Sequence, residues 1–254
     1  MSPDSDYDEV PPEGGAALHE AAERLQRTFE GTFGTETVGR ILLSSYAELV
    51  GTGKIRTWLP LLAERFTRER LTALSKVDGT LNDNRPVVLF LCTHNAGRSQ
   101  MALGCFQALA GDRAIGWSGG SEPGEEVNPT AIAAMAEVGI DISQEFPKPW
   151  TDETVRAADV VVTMGCGDAC PLFPGKRYED WALTDPHGLG LDDVRPIRDE
   201  IRTRVEELLV RLDILAGHLP AAQTGVQLAS IHNERSPADS AGPRHFSQQA
   251  ARHG

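Results

Sequence analysis

The chain has 254 residues, of which 40% are hydrophobic, so it can bury the core of one large domain or two small ones. The formal net charge of −13 argues against a nucleic-acid-binding surface, because bulk charge of this sign repels phosphates. No apolar run approaches bilayer-spanning length, and the acidic N-terminus lacks the basic and apolar regions of a signal peptide, so we expect a cytoplasmic protein without a membrane partner.

The N-terminal part of the sequence predicts a disordered segment followed by helices. Residues 1–14 carry five acidic side chains, three prolines and no basic residue, and we interpret residues 1–15 as disordered. Apolar residues at helical spacing then predict a three-helix bundle over residues 16–80. The third helix is expected to begin near Thr57 and to accept Pro60 in its first turn.

From residue 86 to residue 218 the sequence predicts an α/β domain. Short apolar runs alternate with helical segments, which is typical of a parallel sheet, here with four strands and flanking helices. We predict strands at 86–91, 114–120, 158–164 and, more weakly, 177–183. The expected helices cover 98–110, a segment from an Asn128 N-cap and Pro129 to Gly139, and a long amphipathic stretch closed by Gly217. Residues 219–254 lack periodicity and predict a disordered tail.

The four cysteines are Cys92, Cys105, Cys166 and Cys170. In a cytosolic chain of this length they are catalytic, redox or metal-binding candidates, or buried bystanders, rather than a disulfide framework. The apolar neighbours of Cys105 predict a buried structural thiol. The spacing of Cys166 and Cys170, with no further ligand close by, is poor for zinc, and we predict neither a metal nor a cofactor.

The stretch "CTHNAGRS" (92–99) predicts an oxyanion-binding loop. Cys92 ends a buried strand and Arg98 follows six positions later, at the edge where open α/β sheets bind ligands. Backbone N–H groups of a small-residue loop, backed by a helix N-terminus, bind an anion and favour the thiolate of Cys92. Arg98 offers a planar pair of donors for two oxygens. The predicted oxyanion-binding residues are Thr93, His94, Asn95, Ala96, Gly97, Arg98 and Ser99, with Ser99 donating to the sulfur and Asn95 pinning the loop.

Three stretches carry a resemblance to a known family. "CTHNAGRSQMA", "SGGSEPGEEVNPTAIAAMAEVGIDIS" and "DPHG", within residues 86–217, are similar to the low-molecular-weight protein tyrosine phosphatases and to the arsenate reductases built on that fold. "TMGCGDACP" and "GKRYEDWALTDP" resemble the arsenate reductase branch, particularly actinobacterial members, some of which also carry an N-terminal three-helix bundle. The resemblance implies Cys92 as nucleophile, Arg98 as oxyanion ligand and Asp185 as general acid.

Two positions depart from the pattern of some relatives. Gly97 stands where those relatives carry a further cysteine, and Leu103 stands where they carry an acidic ligand of a potassium ion. The resemblance therefore does not extend to the potassium site.

The resemblance also implies arsenate as the substrate and a cysteine relay, which we state as a hypothesis. Cys92 attacks arsenate, Cys166 attacks Cys92 and releases arsenite, and Cys170 attacks Cys166. Thioredoxin then reduces the resulting disulfide. Only three residues separate Cys166 from Cys170, a shorter stretch than in the relatives, so the order of attack stays open.

Other functions remain open at this point. The electron donor is thioredoxin or a mycothiol and redoxin system. The same loop and Asp185 would also serve a phosphotyrosine phosphatase, although the acid loop "LTDPHGLG" contains no Phe, Tyr or Trp to line a phenyl ring. A redox or oxyanion sensor that docks a partner through the bundle, and a homodimer formed through the bundle, are further alternatives.

Overall fold

The structure, a computed structural model, describes residues 12–51, 58–80, 83–165 and 172–215. The chain begins with three helices, α1 (Pro12–Thr28), α2 (Thr35–Val50) and α3 (Leu59–Val77). Pro60 lies in the first turn of α3, as predicted. Helix α1 begins earlier than residue 16, its predicted start, because proline is accepted in the first helical turn.

The α/β part follows in the order β1 (Val87–Cys92), α4 (Arg98–Ala110), β2 (Ile115–Gly120), α5 (Pro129–Ala136), α6 (Asp152–Ala157), β3 (Val160–Thr163), β4 (Arg177–Asp180) and α7 (Leu191–Arg211). All four strands are parallel and lie in the order β2-β1-β3-β4. This confirms the predicted four-stranded parallel sheet with flanking helices, preceded by a small all-α region.

Helices cover both faces of the sheet, so every residue of β1 is buried. On one face α4, α5 and α7 contribute to a core around Phe90, Phe106, Met135 and Ile201. On the other face α6 and α3 pack over β1 and β3, with Val155 and Ala73 in one cluster. Helix α3 therefore packs against the other N-terminal helices and against the sheet.

The three N-terminal helices have their own core, built from the apolar positions that predicted the helices, such as Leu25, Leu42 and Phe66. One member of this cluster, Phe146, comes from the loop between α5 and α6. Among the described residues, no helix is both long and apolar enough to cross a membrane.

Further differences from the sequence prediction concern helices α6 and α7. Helix α6 was not predicted because six residues are too few to show periodicity; a capping box between Thr151 and Thr154 marks its start. Helix α7 ends at Arg211, and the predicted stop at Gly217 lies outside the described residues. The termini predicted as disordered also lie largely outside them.

Candidate active site

The loop between β1 and α4 lies at the carboxyl edge of the sheet, beside the end of β2. Cys92 is the last residue of β1 and pairs with Gly120 at the end of β2. A Cβ atom at position 120 would lie 2.6 Å from the backbone oxygen of Thr93. Only glycine therefore allows the loop to approach β2 this closely.

The carbonyl groups of the loop point away from its centre. The backbone oxygens of Thr93, His94 and Ala96 accept hydrogen bonds from the amides of residues 122, 124 and 128, at 2.8–2.9 Å. In a peptide unit the N–H points opposite to the C=O, so the N–H groups of these peptide units point towards the centre of the loop. Within the described part of the chain, the backbone amides of residues 93–99 donate to no protein acceptor. A ring of free amides at the start of α4 can bind an anion.

Asn95 fixes the shape of this loop. It is fully buried, and its backbone adopts a left-handed conformation with φ 48°, which asparagine tolerates better than most residues. Its Oδ1 accepts hydrogen bonds from the Lys148 amide at 3.0 Å and from Gln100 Nε2 at 3.2 Å. Its Nδ2 donates to Ser99 Oγ at 2.9 Å. The side chain thus joins the C-terminal end of the loop to the backbone at Lys148.

The sulfur of Cys92 lies at the base of the loop, and the residue is 3% exposed. Its Sγ is 2.9 Å from Ser99 Oγ. Because Ser99 Oγ already accepts a hydrogen bond from Asn95, its own hydroxyl proton can be donated to the sulfur. Such a donor stabilises the thiolate, which is the nucleophilic form.

Arg98, the first residue of α4, turns its buried guanidinium towards the acid loop. Its Nη2 donates to Asp185 Oδ2 at 2.6 Å, and its Nη1 donates to the Leu183 carbonyl at 3.4 Å. A Cβ atom at Gly165 would lie 2.7 Å from Nη1, so the backbone after β3 borders the same group. The guanidinium therefore lies between the backbone that follows β3 and the residues that follow β4.

The turn that carries Asp185 is fixed to the oxyanion loop. Asp185 Oδ1 accepts the amide of His187 at 3.0 Å, and Asn128 Nδ2 donates to the Pro186 carbonyl at 3.2 Å. A Cβ atom at Gly97 would lie 2.5 Å from Pro186 Cγ. The structure thus brings Cys92, the oxyanion loop, Arg98 and Asp185 to one edge of the sheet.

Cys166 and Cys170 lie outside the described residues, so their predicted place in the site is not seen here. Cys166 directly follows Gly165 in the chain. Cys105 is fully buried on α4, and burial raises the pKa of its thiol to about 11. This agrees with the predicted structural thiol. His94 is exposed, and its Nδ1 lies 3.0 Å from the Glu122 carbonyl oxygen.

Sequence reasoning missed two residues that support the loop, Gln100 and Lys148. Gln100 Nε2 donates to the Asn95 carbonyl at 3.0 Å and to the Phe146 carbonyl at 3.1 Å. Lys148 is 1% exposed, which is rare for a lysine. Nothing in "EFPKPW" marks this lysine as buried, although the conformational restriction of two flanking prolines indicates a fixed segment.

Comparison with known proteins identifies the family. A model described as "low molecular weight phosphotyrosine protein phosphatase" matches residues 87–215. The chain belongs to this family. A second model, described as "protein-tyrosine-phosphatase-like, N-terminal domain", matches residues 18–75, which contain most of α1 to α3.

Several members of this low-molecular-weight phosphatase family that resemble the chain carry the name arsenate reductase. Arsenate reductase 2 of Staphylococcus epidermidis is 39% identical over 132 residues, which cover 50% of this chain and 99% of the relative. The glutaredoxin arsenate reductase of Synechocystis sp. is 39% identical over 128 residues, covering 49% of this chain and 97% of the relative.

A solved structure resembles both parts of the chain. The thioredoxin-dependent arsenate reductase of Corynebacterium glutamicum superposes with a TM-score of 0.71 and 43% sequence identity. The match covers 78% of this chain and 98% of that protein. The N-terminal helices and the α/β domain therefore occur together in a relative from the same family.

Proposed function

We propose that this protein reduces arsenate to arsenite, with Cys92 as the nucleophile. The observation that carries the proposal is that the backbone amides of residues 93–99, in the loop that follows Cys92 and contains Arg98, donate to no acceptor among the described residues. A tetrahedral oxyanion matches this arrangement in charge and in donor number. The names of the similar proteins, at 39–43% identity, support arsenate as that oxyanion.

In the first step the Cys92 thiolate attacks arsenic and forms a sulfur–arsenic bond. The loop amides and Arg98 bind the remaining oxygens. Asp185 protonates the departing oxygen, which leaves as water. Asp185 can reach such an oxygen because its carboxyl group contacts the guanidinium that binds the same substrate.

The second step reduces the arsenic. The thiolate of Cys166 attacks the sulfur of Cys92 and forms a disulfide, while the electron pair of the sulfur–arsenic bond stays on arsenic and arsenite leaves. Cys170 then attacks Cys166, which frees Cys92 and leaves a disulfide between Cys166 and Cys170. An external dithiol reduces this disulfide by exchange and supplies the two electrons.

We further propose thioredoxin as that dithiol, with a mycothiol and redoxin system as the alternative. The similar structure from C. glutamicum is named thioredoxin-dependent, whereas the similar Synechocystis protein is named for glutaredoxin. Two cysteines beyond Cys92 are sufficient for an intramolecular disulfide, which a thioredoxin can reduce directly. A mycothiol route would instead form a mixed thiol–arsenic adduct on Cys92.

A phosphotyrosine phosphatase is the second candidate, and the surroundings of the loop argue against it. Trp181, the aromatic residue nearest the acid loop in sequence, is buried and packs against Phe90 with ring centroids 6.0 Å apart. It is part of the core on the α7 side of the sheet.

One assay separates these functions. The protein is incubated with arsenate and NADPH, with either thioredoxin and its reductase or mycothiol and its redoxin, and NADPH oxidation is followed. Turnover with thioredoxin, and its loss in Cys166→Ser and Cys170→Ser, would support the relay. Turnover with mycothiol alone, or normal turnover of Cys166→Ser with thioredoxin, would contradict it. Hydrolysis of p-nitrophenyl phosphate without arsenate turnover would identify a phosphatase.

A further inference from the structure

A short segment between α5 and α6 connects the N-terminal helices to the oxyanion loop. We define the bridging segment as residues 144–148. It lies between α3 on one side and the loop residues Asn95 and Gln100 on the other. Both sets of contacts involve buried groups.

On the loop side, the bridging segment binds through its backbone. The amide of Lys148 donates to Asn95 Oδ1 at 3.0 Å, and the carbonyl of Phe146 accepts from Gln100 Nε2 at 3.1 Å. Asn95 in turn donates to Ser99, whose hydroxyl lies 2.9 Å from the sulfur of Cys92. A shift of the segment would therefore act on the residue that fixes the loop.

On the helix side, the bridging segment binds through its side chains. Lys148 Nζ lies 3.3 Å from Glu69 Oε1 on α3 and 4.7 Å from the centroid of the Phe146 ring. Arg65, also on α3, lies 5.0 Å from the centroid of that ring and donates to the Gln144 carbonyl at 2.5 Å. The Phe146 side chain is part of the core of the N-terminal helices.

We propose that Glu69 and Lys148 are positioning residues for the oxyanion site. Helix α3 fixes the bridging segment through this ion pair, and the segment fixes Asn95 in the left-handed conformation that turns the loop amides inward. Loss of the carboxylate partner leaves the buried ammonium uncompensated, and this cost favours a displaced segment in which Lys148 reaches water. The identity of the oxyanion as arsenate rests on the proposed function above, but the mechanical link does not.

The test measures phosphate binding, because phosphate has the shape of arsenate and is not reduced. Cys92 is alkylated with iodoacetamide at increasing phosphate concentration, and its peptide is quantified by mass spectrometry. In Glu69→Gln we expect the phosphate Kd to rise about three- to thirtyfold, the range of coupling carried by packed networks. The KM for arsenate should rise in parallel.

Glu64→Gln is the matched control. Glu64 is another carboxylate on α3, but it pairs with Arg24 of α1 and with Arg68 of α3, and among the described residues no hydrogen bond or ion pair joins it to the bridging segment. Each variant removes the charge of one paired carboxylate from the same helix. Only Glu69→Gln should weaken phosphate binding, and the control should stay within about twofold of the parent because distant sites rarely couple.

The outcomes distinguish a positioning role from a structural one. A lowered melting temperature with unchanged phosphate Kd in Glu69→Gln would overturn the proposal, and so would an equal loss of affinity in Glu64→Gln. Lys148→Met tests the same link from the other partner; if it does not fold, Glu69→Gln decides. A parent protein that binds phosphate but reduces no arsenate would refute the proposed function and leave this test intact.

Discussion

The carboxylate of Asp185 and the guanidinium of Arg98 form an ion pair, with Oδ2 2.6 Å from Nη2. The proposed substrate needs the same guanidinium. A bound oxyanion and Asp185 therefore compete for one donor, and binding of the anion frees the carboxyl group for proton transfer.

Replacing Asp185 with asparagine should separate binding from chemistry. We expect arsenate turnover to fall by roughly 10²- to 10⁴-fold, the usual contribution of a general acid, while phosphate affinity is retained or increases. Steady-state kinetics and phosphate protection of Cys92 measure the two effects. Asp152→Asn, which alters an exposed aspartate on α6, is the control; a parallel loss of affinity in Asp185→Asn would contradict this role.

Arg98→Lys keeps the charge but removes the planar pair of donors. We expect phosphate affinity to fall by about one to two orders of magnitude, because an ammonium lacks the planar, parallel pair of N–H donors with which a guanidinium binds two oxygens side by side. Isothermal titration with phosphate measures the loss. An unchanged Kd for phosphate would show that the positive charge at position 98 is sufficient for binding.

Ser99→Ala removes the hydroxyl that lies next to the sulfur of Cys92. A hydrogen bond to a charged group is worth about 1.5–3 kcal/mol, so we expect alkylation of Cys92 at neutral pH to slow by about tenfold or more. Ser118→Ala is the control, because it alters another buried serine, on β2, whose hydroxyl has no hydrogen-bond partner among the described residues. Equal alkylation rates in Ser99→Ala and Ser118→Ala would argue against a hydrogen bond from Ser99 to the sulfur of Cys92.

Gly97→Ala should push the acid loop away from the oxyanion loop. The added methyl group would lie 2.5 Å from Pro186 Cγ, which is too close for an undisturbed turn. Overpacking of this kind costs about 1–3 kcal/mol, and we expect a comparable loss in kcat/KM for arsenate. At Gly124 the nearest atom would be 3.7 Å away, so Gly124→Ala should be tolerated.

Cys105 should take no part in turnover. Burial raises the pKa of its thiol from 9.0 to about 11, so at pH 8 about one molecule in a thousand carries the thiolate. We expect Cys105→Ala to keep its thioredoxin-coupled rate, whereas Cys92→Ala should lose it.

The same raised pKa predicts how stability depends on pH. The unfolded thiol ionises near pH 9 and the folded thiol near pH 11, so the folded state loses stability as pH rises through this range. The parent should therefore lose more stability between pH 9 and pH 11 than Cys105→Ala, by up to about 2–3 kcal/mol. Urea unfolding at several pH values measures the free energy of unfolding of both proteins. An equal loss in the parent and in Cys105→Ala between pH 9 and pH 11 would contradict the raised pKa of Cys105.

Local chemistry accounts for the parts of the fold that sequence predicted well. Asn128 accepts hydrogen bonds from the amides of residues 130 and 131, so the capping side chain that marked the start of α5 acts within two or three residues. The buried run of β1 and the Cys92 to Arg98 spacing are equally local. Each of these predictions depended on contacts between neighbours in the chain.

The contacts that sequence did not predict join residues far apart in the chain. Lys148 pairs with Glu69 across 79 positions, and Gln100 binds the Phe146 carbonyl across 46. A lysine and a glutamate outside any motif look like ordinary surface residues until tertiary packing buries them. Sequence patterns and residue spacing therefore predicted the oxyanion loop but not the residues that support it.

Strand β2 lies at an edge of the sheet, where unpaired backbone groups can recruit a strand from another molecule. At its carboxyl end Gly120 bridges to Pro149, with hydrogen bonds to the backbone of Lys148 and Trp150. Proline has no N–H to extend the ladder. The stretch that supports the oxyanion loop thus also covers the carboxyl end of this edge against pairing with a strand from another molecule.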